Sequence, residues 1–376
     1  MPFSSLGLPP DLLKVLSNQN FTEPTPIQQA AIPAILDGKD VLGIAKTGSG
    51  KTASYVLPLL MNLQTAVQLK NRHVNVLVLV PTRELAVQVN DVFQSFSRRL
   101  PVRVKTLAVY GGVSINPQMT ALQGVNVLVA TPGRLLELID SNAVHLNSIE
   151  TLVLDEADKM LNLGFKEEMN RIISHLPQKR QNILLSATLS ADLQQIHQVL
   201  LHDPLVIKIE VQEDSLEQIN QLAYIISAEK KGPFLRYLIN QHEMKQVLIF
   251  ASSVKTADAV VNKLRKNNLE ARAIHSKKSQ GGRNEALTLF KAGKLRILVA
   301  TDLMGRGIDI DQLPFVINYE LPRSPKDYIH RIGRTGRAGN VGDAISLVST
   351  EELHHFEIIQ KKMGKQVKLI DSETIR

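Results

Sequence analysis

Short, uninterrupted apolar runs recur along the whole chain, with segments of helical length between them. None of these runs alternates apolar and polar residues strictly, so each predicts a strand buried on both faces by helices. The pattern therefore predicts an α/β fold, in which parallel sheets are flanked by helices. The runs are VLGIA (41–45), VLVLV (76–80), VKTLAVY (104–110), VNVLVA (125–130), TLVLD (151–155), NILLSAT (182–188), QLAYIIS (221–227), QVLIFA (246–251), RILVAT (296–301), FVINY (315–319) and DAISLVS (343–349).

The length of the chain and one polar stretch predict two domains. At 376 residues, the chain exceeds the size at which a single core usually stops growing. The polar and acidic stretch at 209–219 follows the first set of runs and is predicted to be a linker. We therefore expect domains at 1–208 and 220–376, and their similar patterns suggest a duplication.

Composition limits the class of protein. The chain has no cysteine, which excludes disulfides and thiolate metal sites. No apolar run reaches the roughly 18 residues needed to cross a bilayer, and the first residues lack the features of a signal peptide. A soluble cytoplasmic protein without a membrane partner is the simplest interpretation. The net charge of +8, most of it in residues 209–376, suggests a polyanionic partner but does not identify one.

Residues 45–52 form a phosphate-loop pattern between a predicted strand and a predicted helix. They match the AxxGxGKT variant, because Ala45 stands where the strict pattern has glycine. Lys51 would neutralise the phosphate oxygens of ATP and Thr52 would hold Mg²⁺. A dinucleotide fingerprint (Gly48, Gly50, Ala53) also fits, but it would have no use for Lys-Thr. The residues predicted to cradle the phosphates with their backbone N–H groups are Ala45, Lys46, Thr47, Gly48, Ser49 and Gly50.

Two carboxylates follow the apolar run at 151–155. Asp155 is placed to hold Mg²⁺ through water, and Glu156 is placed to polarise an attacking water molecule. A lone Asp-Glu pair at a strand end is commonly a solvated turn. The phosphate loop earlier in the chain favours the catalytic interpretation.

With Asp-Glu-Ala-Asp at 155–158, the chain resembles the DEAD-box ATP-dependent RNA helicases of superfamily 2. The resemblance implies two tandem RecA-like domains that hydrolyse ATP in the cleft between them, coupled to RNA binding, local unwinding of short duplexes or remodelling of RNA–protein complexes. The segment DEADKMLNLGF (155–165) is similar in sequence to the same segment of small bacterial RhlE-like members. The other matching motifs are FTEPTPIQ (21–28, with Phe3 upstream), PTRELA (81–86), GG (111–112), TPGR (131–134), SAT (186–188), Gln280 with Arg283, TD (301–302), GRGID (305–309) and HRIGRTGR (330–337).

The resemblance implies a role for each motif residue. Phe21 would stack on adenine and the Gln28 amide would pair with its edge, while Asp309 would hold the ribose. Arg334 and Arg337 would act as arginine fingers. The residues implied to couple ATP to RNA are Asp158, Ser186, Thr188 and His330, and those implied to contact RNA are Arg83, Gly112, Thr131 and Arg134 in the first domain and Gln280, Arg283 and Thr301 in the second.

The implied partner is the RNA backbone, read with little sequence preference, in settings such as ribosomal or RNA-decay assemblies. Two departures from the family stand out. The chain has His275-Ser276-Lys277-Lys278 where the family usually has His-Gly-Asp, and the two added lysines either lie in a solvated loop or contact phosphates. Gly305 stands where most members have alanine. In the second domain, the strand end that we take to correspond to the phosphate loop is that of the 246–251 run. Residues 250–256 contain no glycine, so one ATP per chain is expected.

Two other classes of function remain open from the sequence. A nucleotide-gated RNA clamp would rarely turn over, but Glu156, Arg334 and Arg337 argue against it. A DNA translocase of the same superfamily is the second alternative. The motifs around Gln28 and Ser186 favour RNA by analogy.

Overall fold

The computed structural model describes residues 2–19, 21–45, 48–66, 71–98, 100–189, 191–209, 219–302, 313–336 and 342–374. The chain forms two compact units, residues 1–211 and 212–376. Each unit holds a seven-stranded parallel sheet flanked by helices, which confirms the predicted fold class. Most of the predicted linker, 210–218, lies outside the described residues, so its boundaries stay a prediction.

The first unit has the strand order β3-β4-β2-β5-β6-β1-β7. Its strands are β1 (Val41–Ile44), β2 (Val76–Leu79), β3 (Thr106–Val109), β4 (Val127–Ala130), β5 (Thr151–Leu154), β6 (Gln181–Ser186) and β7 (Leu205–Lys208). Its helices are α1 (Pro10–Asn18), α2 (Pro26–Leu36), α3 (Lys51–Thr65), α4 (Arg83–Ser97), α5 (Asn116–Ala121), α6 (Pro132–Asp140), α7 (Ala157–Asn162), α8 (Lys166–Ser174) and α9 (Ala191–Leu200).

The second unit has the strand order β10-β11-β9-β12-β13-β8-β14. Its strands are β8 (Ile219–Ile225), β9 (Val247–Ala251), β10 (Ala271–Ile274), β11 (Ile297–Thr301), β12 (Phe315–Asn318), β13 (Gly342–Val348) and β14 (Lys368–Asp371). Its helices are α10 (Lys231–Gln241), α11 (Val254–Arg265), α12 (Gln280–Lys291), α13 (Pro325–Ile332) and α14 (Leu353–Met363).

Central strands are buried on both faces, which explains their continuous apolar sequence. Along β2, Val76 and Val78 pack into one hydrophobic cluster, whereas Leu77 and Leu79 pack into a second cluster on the opposite face. Alternate side chains of a strand point to opposite faces, so both sets must be apolar. Within the described residues, no helix has the length and apolarity that crossing a membrane requires.

Counted from its own first strand, each unit has the same order, 3-4-2-5-6-1-7. This corrects one sequence comparison: the strand equivalent to β1 is β8, and β9 is equivalent to β2. The matching helix starts support the correction, because Thr82 caps α4 through the Leu85 N–H and Ser253 caps α11 through the Thr256 N–H. The expectation of one ATP per chain therefore depends on residues 226–231, which also contain no glycine.

Candidate functional site

The sequence motifs of the first unit lie at the carboxyl ends of its strands. Neighbouring strands β5, β6 and β1 are followed by the Asp155 motif, the Ser186 motif and the phosphate loop. Neighbouring strands β3, β4 and β2 are followed by Gly112, Thr131 and Arg83. Because all the strands are parallel, these loops share one edge of the sheet, where open α/β sheets bind ligands. The topology thus divides this edge into two adjoining stretches.

The phosphate loop leads directly into α3. Gly48 and Gly50 have φ values of 83° and 87°, a left-handed conformation that suits glycine. Lys51 begins the helix, so the first N–H groups of α3 face the loop without intrahelical partners. The buried Ser49 hydroxyl has no hydrogen-bond partner among the described residues. This arrangement fits an anion such as a phosphate group; Lys46 and Thr47 lie outside the described residues.

The Lys51 ammonium is buried within this loop. It is 6% exposed and its Nζ donates to the Ala45 carbonyl oxygen at 2.6 Å. Burial lowers the pKa of Lys51, while the Asp155 and Glu156 carboxylates oppose that shift. A phosphate would supply the negative charge that this buried cation favours.

Asp155 presents a buried carboxylate beside the loop. It is 2% exposed; Oδ1 accepts from the Glu156 N–H at 2.9 Å and Oδ2 accepts from the Tyr55 hydroxyl at 3.0 Å. Burial raises its pKa to about 6, against the opposing effect of Lys51. Each oxygen keeps a second lone pair. Such a carboxylate fits a hydrated Mg²⁺ ion, which prefers oxygen ligands and retains water.

Glu156 joins β5 to α7 in an unusual backbone conformation. Its φ and ψ are 52° and 45°, a left-handed conformation that is uncommon for residues other than glycine and is often found at functional sites. Its Oε1 pairs with Lys159 Nζ at 2.7 Å, and both side chains are buried. Its Oε2 is buried without a hydrogen-bond partner in the described part of the chain. That oxygen is available to accept a hydrogen bond from water.

Three of the residues implied to couple ATP binding to RNA binding are hydrogen-bonded to one another: Asp158, Thr188 and Ser186. Thr188 Oγ1 donates to Asp158 Oδ2 at 2.8 Å, and Ser186 Oγ donates to the Thr188 carbonyl oxygen at 2.7 Å. This chain of contacts links the loops that follow β5 and β6. His330 lies on α13 in the second unit.

Gln28 is held by protein contacts. It is 1% exposed; its Oε1 accepts from the Thr25 N–H at 3.0 Å and its Nε2 donates to the Gly50 carbonyl oxygen at 3.1 Å. One N–H and one lone pair of the amide are left for another partner. The half-buried Phe21 ring makes edge contacts with Phe3 and Phe96, with ring centroids 6.5 and 5.6 Å apart. Asp309 lies outside the described residues.

In the second stretch of the edge, Arg83 lies directly against Gly112. A Cβ atom at Gly112 would come within 2.1 Å of Arg83 Nη1, and the φ of Gly112 is 75°. Arg134 is 5% exposed; its Nη2 donates to the Val113 carbonyl oxygen at 2.8 Å and its Nε pairs with Glu137. Arg134 therefore holds the loop that carries Gly112. Thr131, 8% exposed, stands just before α6.

The second unit repeats this placement. Gln280 and Arg283 lie in the first turn of α12, and Arg283 Nη2 donates to Gln280 Oε1. Thr301 ends β11 and is 8% exposed. Because β10 and β11 are neighbours, as are their equivalents β3 and β4, the residues implied to bind RNA follow equivalent strands in both units. Arg334 follows α13 and is 3% exposed; Arg337 lies outside the described residues.

The sequence analysis assigned no role to three residues in or near the motifs: Tyr55, Lys159 and Arg331. Arg331 Nε and Nη2 donate to the two carboxylate oxygens of Asp302 at 2.5 and 2.8 Å, and its Nη1 donates to Asn318 Oδ1 at 3.1 Å. Its guanidinium lies 5.1 Å from the centroid of the Phe250 ring. This buried arginine ties α13 to the ends of β11 and β12. Sequence gives no signal that separates it from the arginines that follow.

The chain matches the family described as "DEAD/DEAH box helicase" over residues 25–196 and "Helicase conserved C-terminal domain" over 230–339. It is 40% identical to the DEAD-box ATP-dependent RNA helicase CshA of Streptococcus pneumoniae over 98% of this chain and 69% of that protein. It is 37% identical to the DEAD-box ATP-dependent RNA helicase RhpA of Helicobacter pylori, over 99% and 75%. Among solved structures it is similar to S. cerevisiae Dbp5 bound to RNA and ADP BeF3, with a TM-score of 0.85, 29% identity and coverage of 98% and 95%.

Proposed function

The chain belongs to the DEAD-box family of ATP-dependent RNA helicases, and from this premise we propose that it hydrolyses ATP between its two units to separate short RNA duplexes locally or to remodel RNA–protein complexes. It is an ATP-dependent RNA helicase and therefore an ATP hydrolase. The observation that carries the proposal is the buried Glu156 Oε2, which has no hydrogen-bond partner among the described residues and lies at the edge of the sheet that also carries the phosphate loop.

The proposed chemistry assigns one task to each group. The phosphate loop and Lys51 hold the phosphates, and Glu156 Oε2 accepts a hydrogen bond from the attacking water. Oε1 is occupied by Lys159, which fixes the orientation of the carboxylate. Mg²⁺, contacted through Thr52 and through water at Asp155, would supply positive charge at the phosphate oxygens. Arg334 and Arg337 add positive charge to the γ-phosphate in the transition state.

We propose that coupling follows from the division of both ligand sites between the units. RNA would contact the residues predicted to bind it in both units, and Arg134 would also support the Gly112 loop. They are Arg83, Gly112, Thr131 and Arg134 in the first unit and Gln280, Arg283 and Thr301 in the second. ATP would contact the phosphate loop in the first unit, Asp309 and the arginine fingers in the second. If both ligands favour the same arrangement of the units, each must raise the affinity of the other equally. The Asp158–Thr188–Ser186 contacts and His330 would pass this change to the Asp155 motif.

The direct test compares three conditions: ATP hydrolysis without nucleic acid, with RNA, and with single-stranded DNA of the same sequence. Strong stimulation by RNA alone is the expected result. Equal stimulation by DNA would favour the DNA translocase, and binding of RNA without turnover would favour the clamp.

Three finer assignments stay predictions. We expect the protein to contact the sugar-phosphate backbone of RNA and therefore to show little sequence preference. We also expect it to act in ribosomal or RNA-decay assemblies. The cytoplasm is the predicted location. The likeness to RhlE-like members also stays a prediction, because the relatives described above carry other names, CshA and RhpA.

Gln28 should make ATP a better substrate than GTP by about 10–100-fold in kcat/KM. A buried amide that pairs with adenine is left with mismatched partners when guanine replaces it. The comparison is ATP against GTP in the wild type and in Gln28→Ala. The ratio should fall towards one in the variant. If activity falls with an unchanged ratio, Gln28 acts through its contact with Gly50 and does not read the base.

Lys277 should contribute to RNA affinity more than Lys278. Both are exposed, but Lys278 Nζ pairs with Asp258 at 2.8 Å, so its charge is already partly compensated. In Lys277→Ala, the slope of log affinity against log salt should be shallower by roughly 0.7, the value of one phosphate contact on a single strand. Lys278→Ala should change it less, and Lys361→Ala, at an exposed lysine in the last turn of α14, provides the control. An unaltered slope in Lys277→Ala would return both lysines to the solvated-loop interpretation.

A further inference from the structure

Tyr55 lies on the same face of α3 as the two residues that end the phosphate-loop pattern. It follows Lys51 by four positions and Thr52 by three, and residues at these spacings are neighbours on a helix surface. Tyr55 is fully buried, and its ring packs near Phe93 with the centroids 6.3 Å apart. Its ring is therefore part of the core, while its hydroxyl reaches the functional edge of the sheet.

The hydroxyl of Tyr55 contacts one of the groups predicted to hold Mg²⁺. It donates to Asp155 Oδ2 at 3.0 Å. A tyrosine phenol carries its proton at neutral pH, so the hydroxyl serves as a donor to the carboxylate.

This donor completes the support of Asp155. The Glu156 N–H fixes Oδ1 and the Tyr55 hydroxyl fixes Oδ2, so both oxygens of a carboxylate that is 2% exposed are held by the protein. Without the hydroxyl, Oδ2 would lose its donor in a place from which bulk water is excluded. Partners of this kind orient metal-binding carboxylates, and their loss typically reduces metal affinity by about 10–100-fold.

We propose that Tyr55 is a positioning residue for Mg²⁺: its hydroxyl orients the Asp155 carboxylate so that the ion binds with the nucleotide. This inference rests on the proposed function of the Asp155 site. It makes Tyr55 responsible for the coupling between Mg²⁺ and nucleotide, and not for nucleotide binding itself.

Tyr55→Phe removes the hydroxyl and keeps the ring. The measurement is the affinity of the full chain for a fluorescent ADP analogue, with Mg²⁺ and with EDTA. The wild type should bind the analogue more tightly with Mg²⁺, and Tyr55→Phe should lose about tenfold of that gain while its affinity in EDTA stays unchanged. Tyr328→Phe is the matched control, because Tyr328 is also fully buried and its hydroxyl bonds to Ser346 at 3.1 Å in the second unit.

A double variant separates positioning from packing. In an Asp155→Asn background, Tyr55→Phe should cause no further loss of the Mg²⁺ gain, because the hydroxyl acts through the carboxylate. If Tyr55→Phe lowers the Tm but keeps the whole Mg²⁺ gain, Tyr55 has only a structural role and the proposal is overturned. If the wild type itself gains nothing from Mg²⁺, the proposed magnesium site fails and the role of Tyr55 fails with it.

Discussion

Glu156→Gln should reduce ATP turnover by about 10²–10⁴-fold while leaving the affinities for ATP and RNA close to those of the wild type. The amide has nearly the same shape and its oxygen can still accept from Lys159 Nζ. It lacks the negative charge with which Oε2 polarises water, so the loss falls on the chemical step. The measurement is single-turnover hydrolysis at saturating ATP and RNA, with both affinities determined separately.

Lys51→Ala provides the contrasting variant. It removes the ammonium that lies within the phosphate loop, so hydrolysis should be abolished mainly through weaker nucleotide binding. Turnover by Glu156→Gln at the wild-type rate would exclude Glu156 as the group that activates water.

Arg337→Ala should remove most of the stimulation of ATP hydrolysis by RNA. An arginine that reaches the γ-phosphate can contribute about 10³–10⁵ in rate. Arg337 belongs to the second unit and Glu156 to the first, so the contribution requires the units to come together, and we expect RNA to favour that state. The rate of hydrolysis should rise strongly with RNA concentration in the wild type and hardly at all in Arg337→Ala.

Arg334→Ala tests the second proposed finger in the same assay. Because Arg334 is 3% exposed, this variant also requires a comparison of Tm with the wild type. If Arg337→Ala lowers the basal rate but keeps the full stimulation by RNA, RNA acts by a route other than insertion of this arginine.

The sequence predicted the interior of the sheets better than their edges. Every apolar run corresponds to a strand, because a strand buried on both faces must be apolar throughout. Strands β7, β10 and β14 were missed. They lie at the edges of their sheets; β7 and β14 are largely exposed, and β10 is interrupted by Arg272. Short, partly polar segments carry little signal of this kind.

The motifs predicted which loops would meet but not which atoms would. Tyr55 donates to Asp155 across a hundred residues of sequence, and nothing in the spacing of apolar residues encodes that contact. Gln28 is predicted to face a base, and its amide also donates to the Gly50 carbonyl oxygen, a contact that the sequence does not indicate. Such contacts depend on how α2 and α3 pack against the sheet. The order of apolar and polar residues along the sequence does not specify that packing.

The position of β1 within its sheet has a consequence for synthesis of the chain. This strand pairs with β6 and β7, which leave the ribosome more than a hundred residues later. At the usual rate of translation, this delay is on the order of ten seconds. Until then, the segment that leads into the phosphate loop lacks both neighbours, and its apolar face is open to chaperones or to aggregation. Binding of ATP by a nascent chain would therefore report that the whole first unit has folded.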